Sequence, residues 1–430
     1  MHAQRDVLPV NRRHQYDLSI DTVAAGILAA LIAVPSPISA SLSIGGALSL
    51  ALTPVTFPAV WRNARGRWLL IATLALVPMG WLVAQTSLLQ DTGRTFNTQF
   101  FLYQAALPVG LLASLTGAHW CITRLGLQRF LLLAFTGLLV AGPFSFSQDN
   151  PWKYGLALPI SILAILFIVR NRLLFGLAVT TLAAVSIASN FRSWTAILAI
   201  TAALVVFERS SWTVPSASRV ISLGLVTLAA VGLVAWLVFK ASTAGLLGDY
   251  LEQRTNNQLS ASEGNLLLGG RPEWGAAIAL FRENPLGIGI GVTPSSEDYW
   301  LAIRNMPLGS QGLQDISNVA KSFLQGQVNL HSVFWTFWAV YGVAGMIFSF
   351  LALVYLAHAT TLAVAKLQRL NVRAATVLLM LSTTWDILFS PITVAATLAI
   401  ALATALHVFD DSDVAPIPME DSRHETSPIH

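Results

Sequence analysis

Apolar residues along this chain arrive in long runs separated by short polar turns. Runs of about 17 to 25 residues, rising about 1.5 Å per residue as helices, cross the roughly 30 Å hydrocarbon layer of a membrane. They fall at 20–35, 38–60, 68–88, 99–118, 127–143, 154–169, 173–190, 194–207, 220–239, 331–356, 374–389 and 391–408. The pattern predicts an all-α, polytopic membrane protein of about twelve transmembrane helices. One interval breaks the rhythm: from Lys240 to Leu330 the chain is polar and mixed in charge. The expected organisation is a cytoplasmic leader (1–19), transmembrane helices 1–9 (20–239), a large extracytoplasmic loop containing short helices (240–330), helices 10–12 (331–408) and a disordered cytoplasmic tail (409–430).

Composition agrees with that reading, because 55% of residues are hydrophobic, 11% are charged and the mean hydropathy is +0.65, more than a water-soluble chain of this size tolerates. The first run continues into Pro35-Ser36-Pro37 without an Ala-x-Ala-like cleavage site and is expected to stay as a membrane helix, not a signal peptide. The lone Cys121 cannot form an intrachain disulfide and is expected to be an inert apolar residue.

The net charge of +4 changes the picture through its placement. Lys and Arg accumulate in short cytoplasmic loops. With the N-terminus inside, alternate turns hold Arg5, Arg12, Arg13, Arg62, Arg65, Arg67, Arg124, Arg129, Arg170, Arg172, Arg209, Arg219, Lys366, Arg369, Arg373 and Arg423, while the short outer turns hold Arg94, Lys153 and Arg192. Both termini are therefore expected in the cytoplasm and 240–330 outside. Basic residues dispersed in this way mark topology and give no nucleic-acid surface.

Within the outer loop, Gly269-Gly270-Arg271-Pro272-Glu273-Trp274 opens a short amphipathic helix, with Trp274, Ile278 and Phe281 at helical spacing until Asn284-Pro285 stops it. Arg271 stands at its start, where free N–H groups already favour an anion; pairing with Glu273 or Glu283 on the surface is the plainer alternative. Arg192 occupies a minimal turn, Ser189-Asn190-Phe191-Arg192-Ser193-Trp194, where an ionisable residue near hydrocarbon asks for a cavity or a partner, or snorkels to headgroups. His331 opens the tenth run and can take a proton from a hydroxyl and return it. Asp386, near the outer end of the eleventh run, is expected to orient the histidine or to pair with an arginine. Arg282 and Trp274 are possible supports; Trp274 suits either stacking on a sugar or packing of its helix.

Other patterns are weaker. Gly287-x-Gly289-x-Gly291 lacks dinucleotide-loop spacing and is expected to be a flexible active-site loop or a simple turn. The eight histidines show no ligand spacing, so no metal site is expected.

Taken in order, Arg192 between two helices, a large outer loop, Gly-Arg-x-x-x-Trp at Gly270, Asn-Pro-x-Gly-x-Gly-x-Gly ending at Gly291, and a histidine ahead of Tyr341-Gly342-Val343-Ala344-Gly345 resemble the O-antigen ligase and O-antigen polymerase superfamily of bacterial membrane glycosyltransferases. The resemblance covers roughly 173–355; Ser332, where the family often carries asparagine, and the long stretch from Gly291 to His331 depart from it. It implies a GT-C-like fold, a polyprenyl (undecaprenyl) diphosphate-linked saccharide donor, and a glycan or lipid-glycan acceptor on the outer face of the bacterial cytoplasmic membrane. It implies that Arg192 and Arg271 hold the diphosphate and that His331 serves the acceptor hydroxyl as base or orienting group. From the residue types themselves, two arginines can meet the leaving group's charge without a metal, attack from the opposite face predicts inversion, and no cofactor or nucleotide sugar is expected. Other polysaccharide-assembly membrane proteins are the implied partners. A twelve-helix secondary transporter is the competing expectation, although no repeat between halves is visible.

Overall fold

The computed structural model describes residues 19–36, 42–90, 93–142, 150–206, 236, 240–246, 248–262, 264, 271, 273–306, 328–390 and 395–413. Helices lie on every predicted run whose residues are described; the ninth, 220–239, falls outside them except for Trp236. In chain order they are α1 (Ile20–Leu31), α2 (Ile44–Ala51), α3 (Thr53–Trp61), α4 (Ala64–Leu89), α5 (Thr98–Leu125), α6 (Leu127–Ala141), α7 (Ala157–Ile168), α8 (Arg172–Ala188) and α9 (Arg192–Val206). Three short helices follow in the polar interval: α10 (Asp249–Ala261), α11 (Glu273–Glu283) and α12 (Ser296–Arg304). The last group is α13 (Val333–Tyr341), α14 (Val343–Lys366), α15 (Leu370–Phe389) and α16 (Ala395–Asp413). A single two-residue antiparallel pair, β1 (Thr95–Phe96) with β2 (Val292–Thr293), is the sheet among the described residues.

Four helices, α4, α5, α14 and α15, are long and apolar enough to cross a membrane, and α2 with α3 makes a fifth if that pair counts as one span. The fold is thus mostly helical and of membrane type. α5 is the most enclosed of the four and packs against α1, α2, α3, α4 and α16, with Leu111, Leu115, Ala118 and Ile122 at 0% exposure. α15 is gripped by α7, α9 and α14.

Two runs expected as single helices are broken. The run 38–60 bends by 88° between α2 and α3, where Pro54 cannot donate to the preceding turn. The run 331–356 breaks at Gly342, whose φ of 65° ends α13 and whose missing Cβ would lie 2.5 Å from the Leu286 carbonyl oxygen. At the other end, α16 continues to Asp413, into the stretch expected to be disordered, and Asn63 donates to Asp410 at 2.5 Å. Residues 414–430 and the leader before Ser19 lie outside the described residues.

Polar contacts gather the turns into two ends. At one end Arg124 pairs with Asp21 at 3.5 Å, Arg369 donates to Gln128 at 3.0 Å, and Asn63 meets Asp410. At the other, Asn150 donates to the Ser189 carbonyl at 2.6 Å, Arg192 to Thr255, and β1 pairs with β2. The short helices of the polar interval sit at this second end.

Candidate active site

α11 brings Arg271, Glu273 and Trp274 to the helix ends, and it is fastened at both of its own. Near its C-terminal end, Arg94 donates to Asn284 Oδ1 at 2.8 Å and grips Asp298 bidentately through one guanidinium edge, Nε to Oδ2 at 2.8 Å and Nη2 to Oδ1 at 2.7 Å. Ser87 accepts a fourth bond at 2.7 Å. Burial alone would push the Asp298 carboxyl up, but the Arg94 hydrogen bonds, the Ser295 backbone N–H and the Arg94 charge outweigh it and hold the carboxyl below its usual value. Asp298 also closes a capping box with Ser295 at the start of α12, so one carboxylate joins α12, α11 and the turn before α5.

At its N-terminal end α11 is held by aromatic packing. Trp274 stacks on Phe389 at 5.3 Å and meets Trp335 edge to face at 6.1 Å; Phe281, two turns on, packs on Trp335 and Trp338. Trp338 Nε1 donates to the Pro285 carbonyl at 3.1 Å. Such contacts add roughly 0.5–1.5 kcal/mol per ring pair beyond area burial. The Trp274 ring is thus packed among aromatic neighbours from α13 and α15.

Beyond the C-terminal fastening the glycine-rich stretch is packed against α4, α5 and α13. Gly287, Gly289 and Gly291 have φ of 98°, 104° and 74°, and Ile288 and Ile290 between them are fully buried. A Cβ on Gly289 would stand 2.4 Å from the Ala84 backbone of α4. Ile288 and Gly289 both donate to the Ala339 carbonyl, a group left without its helical partner by the break at Gly342. Ile290 donates to Gly80 of α4 and Gly291 to Gln104 of α5 at 2.7 Å. The stretch is a wedge that fills a broken helix.

His331 sits on a strained turn before α13. Its φ of 48° is left-handed, a region that costs a bulky residue of order 1 kcal/mol or more. The neighbours impose it: His331 N–H donates to Asn329 Oδ1 at 3.1 Å, Leu330 N–H to Thr336 Oγ1 at 3.3 Å, and Ser332 caps α13 through the Trp335 N–H. Ser332 Oγ also donates to the Ile387 carbonyl at 3.1 Å, tying the histidine turn to the end of α15 one residue from Asp386. A cavity of about 70 Å³, lined by Tyr103, Gln104, Asn329, Thr336 and Tyr341 among others, lies beside this turn.

The imidazole faces the Glu273 carboxylate, not that of Asp386. His331 Nδ1 stands 3.5 Å from Glu273 Oε1, and no ion pair joins His331 to Asp386 among the described residues. Asp386 instead accepts from the Ser390 hydroxyl and lies within electrostatic reach of Arg271. Glu273 had no signal beyond its place next to the helix start.

Arg192 begins α9 after Asn190, whose φ of 54° makes the tight turn, and it donates to Thr255 of α10 at 2.9 Å. α9 packs along α15, so Arg192 and Asp386 stand at the same end of neighbouring helices. Arg282 is exposed in the last turn of α11, about 13 Å along the axis from Glu273, and is not gathered with the others. Cys121 is a buried free thiol. Among the described residues no cluster of three His, Cys, Asp or Glu side chains forms a metal-binding group.

Compared with protein-family models, curated proteins and solved structures, the chain matches none.

Proposed function

We propose that this chain is a polytopic bacterial membrane glycosyltransferase, moving a saccharide from a polyprenyl diphosphate to an acceptor hydroxyl outside the cytoplasmic membrane. It acts as a polysaccharide polymerase or an O-antigen ligase-like enzyme. The observation that carries this reading is His331 facing Glu273 at 3.5 Å on a turn that Ser332 ties to α15 beside Asp386, with Arg271 in electrostatic reach of that carboxyl. A partly exposed imidazole beside a carboxylate suits removal of a hydroxyl proton. Arginines at the same end suit the charge that grows on a departing diphosphate.

The step follows from these roles. The acceptor oxygen attacks the anomeric carbon from the face opposite the diphosphate, and the carbon–oxygen bond to the diphosphate breaks with its electron pair leaving on phosphate. Arg271 and Arg192 meet that charge, the hydroxyl proton passes to His331, and the configuration inverts. The lipid tail lies between helices. In the same proposal about twelve helices cross the membrane, both termini are cytoplasmic and 240–330 is outside, as the Lys and Arg bias supports.

A transport reading draws support from the break at Gly342, since discontinuous helices often hold transported ions. Here the Ala339 carbonyl at the break is already engaged by Ile288 and Gly289.

The test is Arg192→Ala, Arg271→Ala and His331→Ala in the producing cell, with membrane abundance checked for each. The expected result is accumulation of lipid-linked saccharide and loss of finished polymer at normal abundance. Unchanged glycan in all three overturns the transferase reading and leaves solute flux as the next measurement.

A further inference from the structure

We infer that Glu273 is the positioning residue of the transfer site, working with His331 as a carboxylate–imidazole dyad. The inference rests on the transferase reading and deepens it. Glu273 Oε1 lies within ion-pair range of the ring, 3.5 Å from Nδ1. That is longer than a hydrogen bond, as base–orienter contacts often are without substrate, and it shortens when the ring gains a proton. With Nδ1 turned to Glu273, the other ring nitrogen is left for the acceptor hydroxyl.

The surroundings hold the pair from both sides. Glu273 stands in the first turn of α11, which Trp274 pins to Phe389 and Trp335, and its side chain is 16% exposed. His331 is fixed in a left-handed turn by Asn329 and by the Ser332 bond to α15. A second, independent feature points the same way. Among the described residues, Glu273 Oε2 and the adjacent Trp274 Nε1 are buried without a hydrogen-bond partner, an acceptor and a donor within one residue of each other. Such groups are costly in a structural role and recur where chemistry is done. The balance of the step is simple: the hydroxyl proton goes to His331, Glu273 stabilises the cation without taking the proton, and the proton leaves to water once the diphosphate has gone.

The test uses the full chain in lipid nanodiscs and, as donor and acceptor, the polyprenyl-diphosphate saccharide extracted from cells carrying His331→Ala. Glu273→Gln is expected to lower kcat about 100-fold with donor KM unchanged, and Glu273→Asp, which keeps the charge, to recover at least about a tenth of the wild-type rate. In a His331→Ala background Glu273→Gln is expected to change kcat less than about threefold, because the two act as a unit. Wild-type kcat in Glu273→Gln, or a loss that adds in full to that of His331→Ala, overturns the dyad while the transferase reading stands. No turnover by the wild type sinks both.

Discussion

Arg94 and Asp298, 204 residues apart in the chain, form a buried two-point ion pair that fastens the polar interval to the α4–α5 turn. A lone charge left in that place is expensive, whereas removal of both is much less so. Arg94→Met is expected to cost about 3 kcal/mol, and Arg94→Met with Asp298→Asn less than the sum of the single losses. Thermal unfolding of the four proteins in detergent checks this; strict additivity would show that the pair does not couple.

The same pair predicts an acid limb. Because the folded Asp298 carboxyl is held below its usual value, its contribution is fully present above about pH 4 and is lost as pH falls through the lower folded value. The thermal midpoint of the wild type should therefore fall below about pH 4 more steeply than that of Asp298→Asn. Parallel curves for the two proteins would count against it.

Gly289→Ala tests the wedge. Its Cβ meets backbone of α4 and its φ of 104° strains any side chain, so a loss of about 3 kcal/mol or more is expected. A flexible loop at this position would tolerate the methyl group with no change in midpoint.

Trp274→Ala should loosen one end of α11 and spare the other. Hydrogen exchange is expected to rise over residues 273–280 and to stay slow over 284–291, where Arg94 and the Ala339 carbonyl still hold the chain. A uniform rise across both segments would show that the two fastenings are not independent.

His331→Gly separates strain from chemistry. Glycine takes φ of 48° without penalty, so the thermal midpoint should hold or rise slightly while transfer is lost. A clear fall in midpoint would mean that the histidine is retained for packing.

Much of this was legible in the order of residues. Helix positions follow from runs of apolar side chains, since crossing or packing in hydrocarbon requires each stretch to satisfy its own backbone bonds, a local demand. Arg192, His331 and Asp386 stand out as charged or titratable groups at the edges of such runs, and Arg271 at the start of the short helix in the polar interval. Their neighbours did not. Glu273 looks like any acidic residue in a first helical turn until the fold lays α11 against the α13 turn. Arg94 reads as a loop arginine until Asp298 and Asn284 arrive from far along the chain.

The breaks divide in the same way. Gly342 and Gly345 are visible in the tenth run, yet a glycine pair alone does not decide between a continuous helix and a broken one. The break is stable because residues 286–290 enter it, with Ile288 and Gly289 taking the carbonyl it frees. Sequence by itself determined where helices form, because hydrophobic length and backbone satisfaction act over neighbouring residues. Only the tertiary structure decided which helix is cut, which loop fills the cut and which carboxylate faces the histidine, because those depend on groups brought together across nearly the whole chain.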